Sequence, residues 1–239
     1  MTAVEVDFRL YAITSGTDRR AVQVAAEVAA AGAGVVQVRA KGASTRRLLA
    51  LTLEVANAVA AANPLTRVVV NDRADVAWTA RRMGAQVHGV HLGADDLPPQ
   101  EARELLGPGA LIGWTAGTLE AVRAANGLSA VVDYLGCGPL RATPTKATGR
   151  PPLGAQGYAP LVRLSELPLV AIGGVRPEDV SELARAGVSG VAMVRALNAA
   201  RDPAAVARRV LAAWDSAQEQ VTTDHSQSEF SPGQGGTLY

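Results

Sequence analysis

The stretch Leu169-Val-Ala-Ile172-Gly-Gly174-Val-Arg176-Pro177-Glu-Asp179 contains one complete structural unit. Four apolar residues make a strand short enough to be buried on both faces. Gly173-Gly174 break it. Pro177 suits the first position of a helix, and Glu178-Asp179 suit the positive end of its dipole. An amphipathic pattern then runs over 176–187 and stops at Gly187. Strand, glycine turn and helix together make a βα unit.

The unit recurs along the chain. Strands are predicted over 8–14, 34–39, 67–71, 89–92, 111–115, 131–135, 169–172 and 190–194. Amphipathic helices are predicted over 18–32, 44–62, 73–84, 98–106, 118–126, 155–165, 176–187 and 202–219. Ser44 and Thr118 suit helix N-caps, and Gly107 and Gly127 fall where helices should stop. Eight such units predict an α/β fold, a single (β/α)8 TIM barrel over residues 1–215. An open doubly wound sheet uses the same units in another strand order, and the count of eight favours the barrel. Either architecture puts function at the C-terminal ends of the strands. From Ser216 to Tyr239 the composition turns to Gln, Ser, Thr, Asp and Gly, which predicts a disordered tail.

Composition narrows the function. The 239 residues carry a net charge of +1, so nucleic acid is not the expected partner. The lone Cys137 excludes an internal disulfide and a multi-cysteine zinc site. No apolar run is long enough to span a membrane, and the N-terminus lacks the pattern of a signal peptide, so the expected compartment is the cytoplasm. A barrel of this size is compatible with a homo-oligomer, with no residue marking an interface. Aromatic residues are 4% of the chain, so Val, Leu, Ile and Ala must build the core.

The strand ends are polar. Strand two ends Gln37-Val-Arg39-Ala-Lys41, and alternation puts all three polar residues on one side. Strand three ends Asn71-Asp72-Arg73, where Asp72 is either a metal or phosphate-site carboxylate or a helix cap. Asp95-Asp96 after strand four carry the same two readings. His91 reads as a structural imidazole and His88 as a loop residue. Thr115 ends strand five with a hydroxyl. Gly136-Cys-Gly-Pro-Leu-Arg141-Ala-Thr143-Pro-Thr145-Lys146 is expected just past strand six, and such loops bring amides, hydroxyls and an ammonium close to anionic oxygens. Its Pro/Gly/Arg-rich continuation to Pro151 suits a mobile lid. Gly173-Gly174 and the strand-eight end Val194-Arg195, with a helical turn beyond, suit a phosphate cradle, although a diglycine alone also makes an ordinary tight turn. There is no Ser-His-Asp set, HExxH motif or P-loop, and no strong general base. That inventory favours electrostatic assistance to a departing phosphate or diphosphate.

These motifs together resemble the thiamine phosphate synthase family. The resemblance runs over residues 10–213 and rests on Leu10-Tyr-Ala-Ile-Thr14, Val36-Gln-Val-Arg39-Ala-Lys41, Val70-Asn-Asp-Arg73, Gly89-Val-His-Leu-Gly93-Ala-Asp-Asp96, Ile112-Gly, Asp133-Tyr-Leu-Gly-Cys-Gly-Pro139, Thr143-Pro-Thr-Lys146 and Ala171-Ile-Gly-Gly174. It implies that the chain joins hydroxymethylpyrimidine diphosphate to thiazole phosphate with release of diphosphate. It further implies diphosphate contacts from Gln37, Arg39, Lys41, Asn71 and Lys146, and Mg2+ ligation by Asp72 and Asp96. Thr115 matches the family's serine near the pyrimidine. Thr143, Thr145, Gly174, Val194 and Arg195 would surround the thiazole phosphate, and Lys146, Arg39 and Thr115 would carry the catalytic step. The chain departs from the family at Ala94 (usually Gln), Ser15 (usually acidic), Thr115-Ala116-Gly117 (commonly Ser-Thr-His), Arg141 (often aromatic) and Arg195 (often Ser). A related thiazole tautomerase branch relies on a histidine where Gly117 stands, which favours the synthase. A barrel that binds phosphorylated ligands without turnover is the alternative of another class.

Overall fold

The computed structural model describes residues 6–142 and 151–228. Eight parallel strands close into a barrel in sequence order. They are β1 (Leu10–Ile13), β2 (Val35–Val38), β3 (Arg67–Asn71), β4 (Gly89–Leu92), β5 (Leu111–Thr115), β6 (Tyr134–Cys137), β7 (Leu169–Ala171) and β8 (Gly190–Met193). The circle closes where Ala12 of β1 pairs with Met193 of β8. The doubly wound alternative is thereby excluded.

Outside the barrel lie α1 (Arg19–Ala30), α2 (Thr45–Ala62), α3 (Ala74–Arg82), α4 (Pro99–Leu106), α5 (Leu119–Asn126), α6 (Tyr158–Leu164), α7 (Val180–Arg185), α8 (Arg195–Asn198) and α9 (Pro203–Ser228). Short 3₁₀ turns at Ala155–Gly157 and Pro177–Asp179 lead into α6 and α7. Ser44 and Thr118 cap α2 and α5, accepting from the amides of Arg47 and Ala121. Asp18 does the same for α1.

Period-two alternation divides the apolar residues into two layers. Outward side chains meet the helices in the main core, which is largely Val, Leu and Ala. Inward side chains form a smaller cluster of Phe8, Tyr11, Ile13, Val35, Val69, Leu111, Tyr134, Val170 and Ala192. They plug the lower part of the barrel and leave its upper end for polar residues.

Two expectations need correction. Strand six begins at Tyr134, three residues later than 131–135 placed it. Residues 128–132 turn instead, with the amides of Val131 and Val132 both donating to Leu128 O at 2.9 Å. Asp133 then pins the strand entrance, its Oδ2 accepting from Ile112 N at 2.6 Å. Gly136 and Cys137 therefore lie inside β6, and the loop starts at Gly138. Helix α9 also continues through the composition change at Ser216 to Ser228, because Ala217 is still buried and Gln220 accepts from Arg185 at 2.9 Å. Residues 229–239, the rest of the expected tail, lie outside the described residues.

Candidate active site

The strand ends surround one cavity of about 790 Å3 at the C-terminal mouth of the barrel. Gln37, Arg39, Lys41, Asn71, Asp72, Asp96, Thr115, Gly174, Val194 and Arg195 all line it. Thr143, Thr145 and Lys146, with most of the expected lid, lie outside the described residues.

The β3–β4 edge brings two carboxylates together. Asp72 is the one described non-glycine residue with positive φ, at 63°. This left-handed backbone is uncommon for a side-chain-bearing residue, though Asp tolerates it better than most. The turn carries the carboxylate away from α3, whose N-cap is Arg73 and has no side-chain cap. The cap reading of Asp72 is therefore replaced: its carboxylate lies close enough to that of Asp96 for the two to interact. Burial and the Asp96 charge raise the Asp72 pKa, against the lowering effect of Lys41 and Asn71. Asp96 closes its own turn by accepting from Gly93 N at 2.7 Å, and the N-cap of α4 is Pro98.

Such a pair is the donor set that suits Mg2+, which takes one or two carboxylates and completes its shell with water and phosphate oxygens. No group of three or more His, Cys, Asp or Glu placed for a metal occurs among the described residues. Next to the pair, Arg39 and Lys41 form no salt bridge with any described residue.

The cavity floor is a hydrogen-bonded chain across five strands. Gln37 Nε2 donates to Tyr11 Oη at 2.7 Å, and the hydroxyls of Tyr11 and Tyr134 lie 2.8 Å apart. His91 Nδ1 is 3.2 Å from Tyr134 Oη, and its Nε2 is 3.1 Å from Thr115 Oγ1. Burial raises both tyrosine pKa values, so both hydroxyls stay protonated. Glycines make room for these rings. A Cβ on Gly113 would fall 2.1 Å from Tyr134 Cζ and 2.4 Å from His91 Nδ1, and one on Gly136 would fall 2.9 Å from His91 Cε1. The structural reading of His91 fits these contacts.

Sequence reasoning missed Tyr11 and Tyr134 as cavity residues. The available signal was their inward alternation on β1 and β6, obscured for Tyr134 by the misplaced strand. His88, read as a loop residue, lies just before β4 at the opposite end. Its Nδ1 accepts from Val68 N at 2.9 Å, and burial followed by the Arg67 charge lowers its pKa to about 4.

On the β6–β8 side the polar groups are mainly backbone. Gly173 and Gly174 have φ of 96° and 76°. The amides of Gly173, Gly174 and Val175 donate to no described residue. The Gly138–Pro139 peptide at the start of the adjacent loop is cis. Cys137 is buried behind this turn, and desolvation pushes its thiol up to about 12, which leaves it unreactive.

The mouth thus pairs a cation-and-carboxylate half with an amide-rich half, both of which offer positive charge or N–H donors. Residues 10–197 match the family described as thiamine monophosphate synthase. The thiamine-phosphate synthase of Corynebacterium jeikeium is 50% identical over 218 residues, covering 91% of this chain and 100% of that protein. That of Corynebacterium efficiens is 50% identical over 206 residues, covering 86% and 94%. Among solved structures, thiamine phosphate pyrophosphorylase from Pyrococcus furiosus superposes with a TM-score of 0.74 at 28% identity, covering 88% of this chain and 97% of its own. Orotidine 5'-phosphate decarboxylase from Pyrococcus horikoshii, at 12% identity and a TM-score of 0.60, shares the fold alone. The chain belongs to the thiamine monophosphate synthase family.

Proposed function

We propose that this chain joins hydroxymethylpyrimidine diphosphate to thiazole phosphate, releasing diphosphate and giving thiamine phosphate. The observation that carries this reading is the convergence, at one edge of the mouth, of a carboxylate pair and cations with no ion-pair partner among the described residues, facing the diglycine turn across it. Two anionic reactants need two such regions within one cavity. The family membership of the chain supports the same reading.

Arg39 and Lys41, joined by Lys146, hold the diphosphate and stabilise the negative charge that grows on it as the C–O bond breaks. Asn71 and Gln37 donate to its oxygens and to the adjoining pyrimidine. Asp72 and Asp96 would hold Mg2+, which when bound would supply further positive charge beside the leaving group. The pyrimidine's amino group feeds electrons to the carbon losing diphosphate. Thr115 lies beside the ring, its hydroxyl oriented by His91. The amides around Gly174, with Val194, Arg195, Thr143 and Thr145, hold the thiazole phosphate so that its ring nitrogen attacks that carbon from a fixed distance. The step uses no protein nucleophile, consistent with a thiol kept protonated and a floor of neutral hydroxyls. No described helix is long and apolar enough to cross a membrane, and a cytoplasmic site of action belongs with this reading.

The test is product formation. With Mg2+ and both phosphorylated substrates, the chain should release diphosphate and thiamine phosphate in equal amounts. Tight binding of both substrates without product would instead identify a non-catalytic binder. Replacing Lys146 by Ala should lower turnover roughly 100-fold; turnover near that of the parent would remove Lys146 from the catalytic step.

A further inference from the structure

At the rim of the mouth, the loop after β6 grips the turn after β7. Leu140 N donates to Ile172 O at 2.9 Å, and Arg141 N to Gly173 O at 2.9 Å. The Arg141 side chain then takes the next carbonyl, with Nη1 3.0 Å from Gly174 O. Three successive acceptors of the turn are thus held by two successive residues. The approach is close: a Cβ on Gly173 would fall 2.5 Å from Pro139 Cα. Two adjacent glycines at positive φ have no side chains to fix their own peptide planes, so those planes must be fixed from outside.

The Arg141 guanidinium is itself locked. Nη1 donates to Asp179 Oδ2 at 2.5 Å, and Nη2 donates to Asp179 Oδ1. Asp179 Oδ2 also accepts from Arg176 N at 2.8 Å. Asp179 is only 8% exposed, and a carboxylate with so little solvent needs a partner of this kind. Burial opposes ionisation, yet the Arg141 contact and the Arg176 amide hold this carboxyl below the usual range. The contacts form a closed ring running from Arg141 through Gly174 O, along the chain to Arg176 N, and back through Asp179. With its fork engaged twice, Arg141 is placed to orient the turn, and the turn's amides are placed to meet the ligand.

We propose that the Arg141–Asp179 pair is a positioning device for the monophosphate end of the site. It sets the Gly174–Val175 peptide plane and thereby the affinity for thiazole phosphate. This rests on the proposed function, which assigns that end to the thiazole phosphate.

The test uses full-length Arg141→Lys, Arg141→Met, Asp179→Asn and the double variant Arg141→Met/Asp179→Asn, with Mg2+ and each substrate varied in turn. Arg141→Met and Asp179→Asn should each raise KM for thiazole phosphate about ten-fold, the size of one charge-assisted hydrogen bond. KM for the pyrimidine diphosphate and kcat should stay within about two-fold. Arg141→Lys, which keeps the charge and loses the fork, should fall between. The double variant should be no worse than the worse single, because the two groups act as a unit. Both KM values rising together, or a lowered melting temperature with neither KM changed, would reduce the pair to a structural ion pair. Additive effects would make Arg141 a direct phosphate ligand. Either result overturns the proposal. If the parent chain makes no thiamine phosphate, the functional reading fails on its own. Calorimetry with inorganic phosphate then still tests the clamp, with about ten-fold weaker binding expected in Arg141→Met and unchanged binding contradicting it.

Discussion

The N-terminal end of the barrel and the β2–β4 side of its mouth treat charge in opposite ways, the Arg141–Asp179 pair on the far rim apart. At the N-terminal end, charged side chains are engaged with one another. Arg9 bridges Asp7 at 2.8 Å and Asp215 at 2.7 Å. Arg103 Nη2 reaches Asp133 at 2.8 Å and Val131 O at 2.9 Å, while its Nη1 donates to Ala110 O at 2.5 Å. At the C-terminal mouth, Arg39, Lys41 and Arg195 have no described ion-pair partner, and Asp72 and Asp96 lie close enough to interact. An arrangement that brings like charges together and gives these cations no ion-pair partner among the described residues does not favour the folded state. It suits a ligand that carries the missing charge. One end of the barrel holds the fold, and the other is organised around a reaction.

If so, a change at the mouth should cost rate and spare stability. Asp72→Asn keeps a residue that tolerates φ 63° and removes the repulsion with Asp96. It should lower turnover roughly 100-fold while the melting temperature holds or rises. Steady-state kinetics with a thermal melt check both halves, and a drop in melting temperature with full activity would break the contrast. Asp96→Asn should likewise raise the Mg2+ concentration needed for half-maximal activity.

Between the two ends, Gly113→Ala forces a methyl into the Tyr134 and His91 rings. It should cost about 3 kcal/mol in urea denaturation and should also impair turnover, because the network reaching Thr115 must shift. At the lower face, Arg103→Met should cost about 2 kcal/mol, since it removes the side-chain donors of the Ala110 and Val131 carbonyls and the ion pair with Asp133. Its kcat should remain within about two-fold of the parent.

The smallest effect concerns His88. Its folded pKa of about 4 lies below the ordinary 6.5, so the unfolded chain binds the proton more readily. The stability from its neutral imidazole is present above about pH 6.5 and is lost as pH falls towards 4. Partial exposure limits the loss to about 1 kcal/mol. Denaturant melts of the parent and His88→Asn across that window should converge as the pH drops. Parallel curves would contradict the assignment.

What could be read from the sequence follows from which interactions are local. Strand runs such as Val68-Val-Val70 and the caps Ser44 and Thr118 depend on near neighbours, and the eight units with their C-terminal polar residues were legible there. Strand six was displaced because Val131-Val132 are apolar enough for a strand, while the pin that decides the register, Asp133 on Ile112 N, comes from β5. Asp72 could not be resolved between cap and ligand because a left-handed φ leaves no trace in composition. The Tyr11–Tyr134 contact spans 123 residues, and the Arg141–Asp179 pair spans 38. Such pairings appear only once the barrel has closed.

The charges of the mouth that lack an ion-pair partner among the described residues are complementary to a magnesium–diphosphate group. A crystal structure of the chain soaked with Mg2+ and diphosphate tests it most directly. The expected density has the metal bound by Asp72 and Asp96, directly or through water, with diphosphate oxygens on Arg39 and Lys41. Metal and diphosphate bound away from those four side chains, or absent at saturating concentrations, would contradict it.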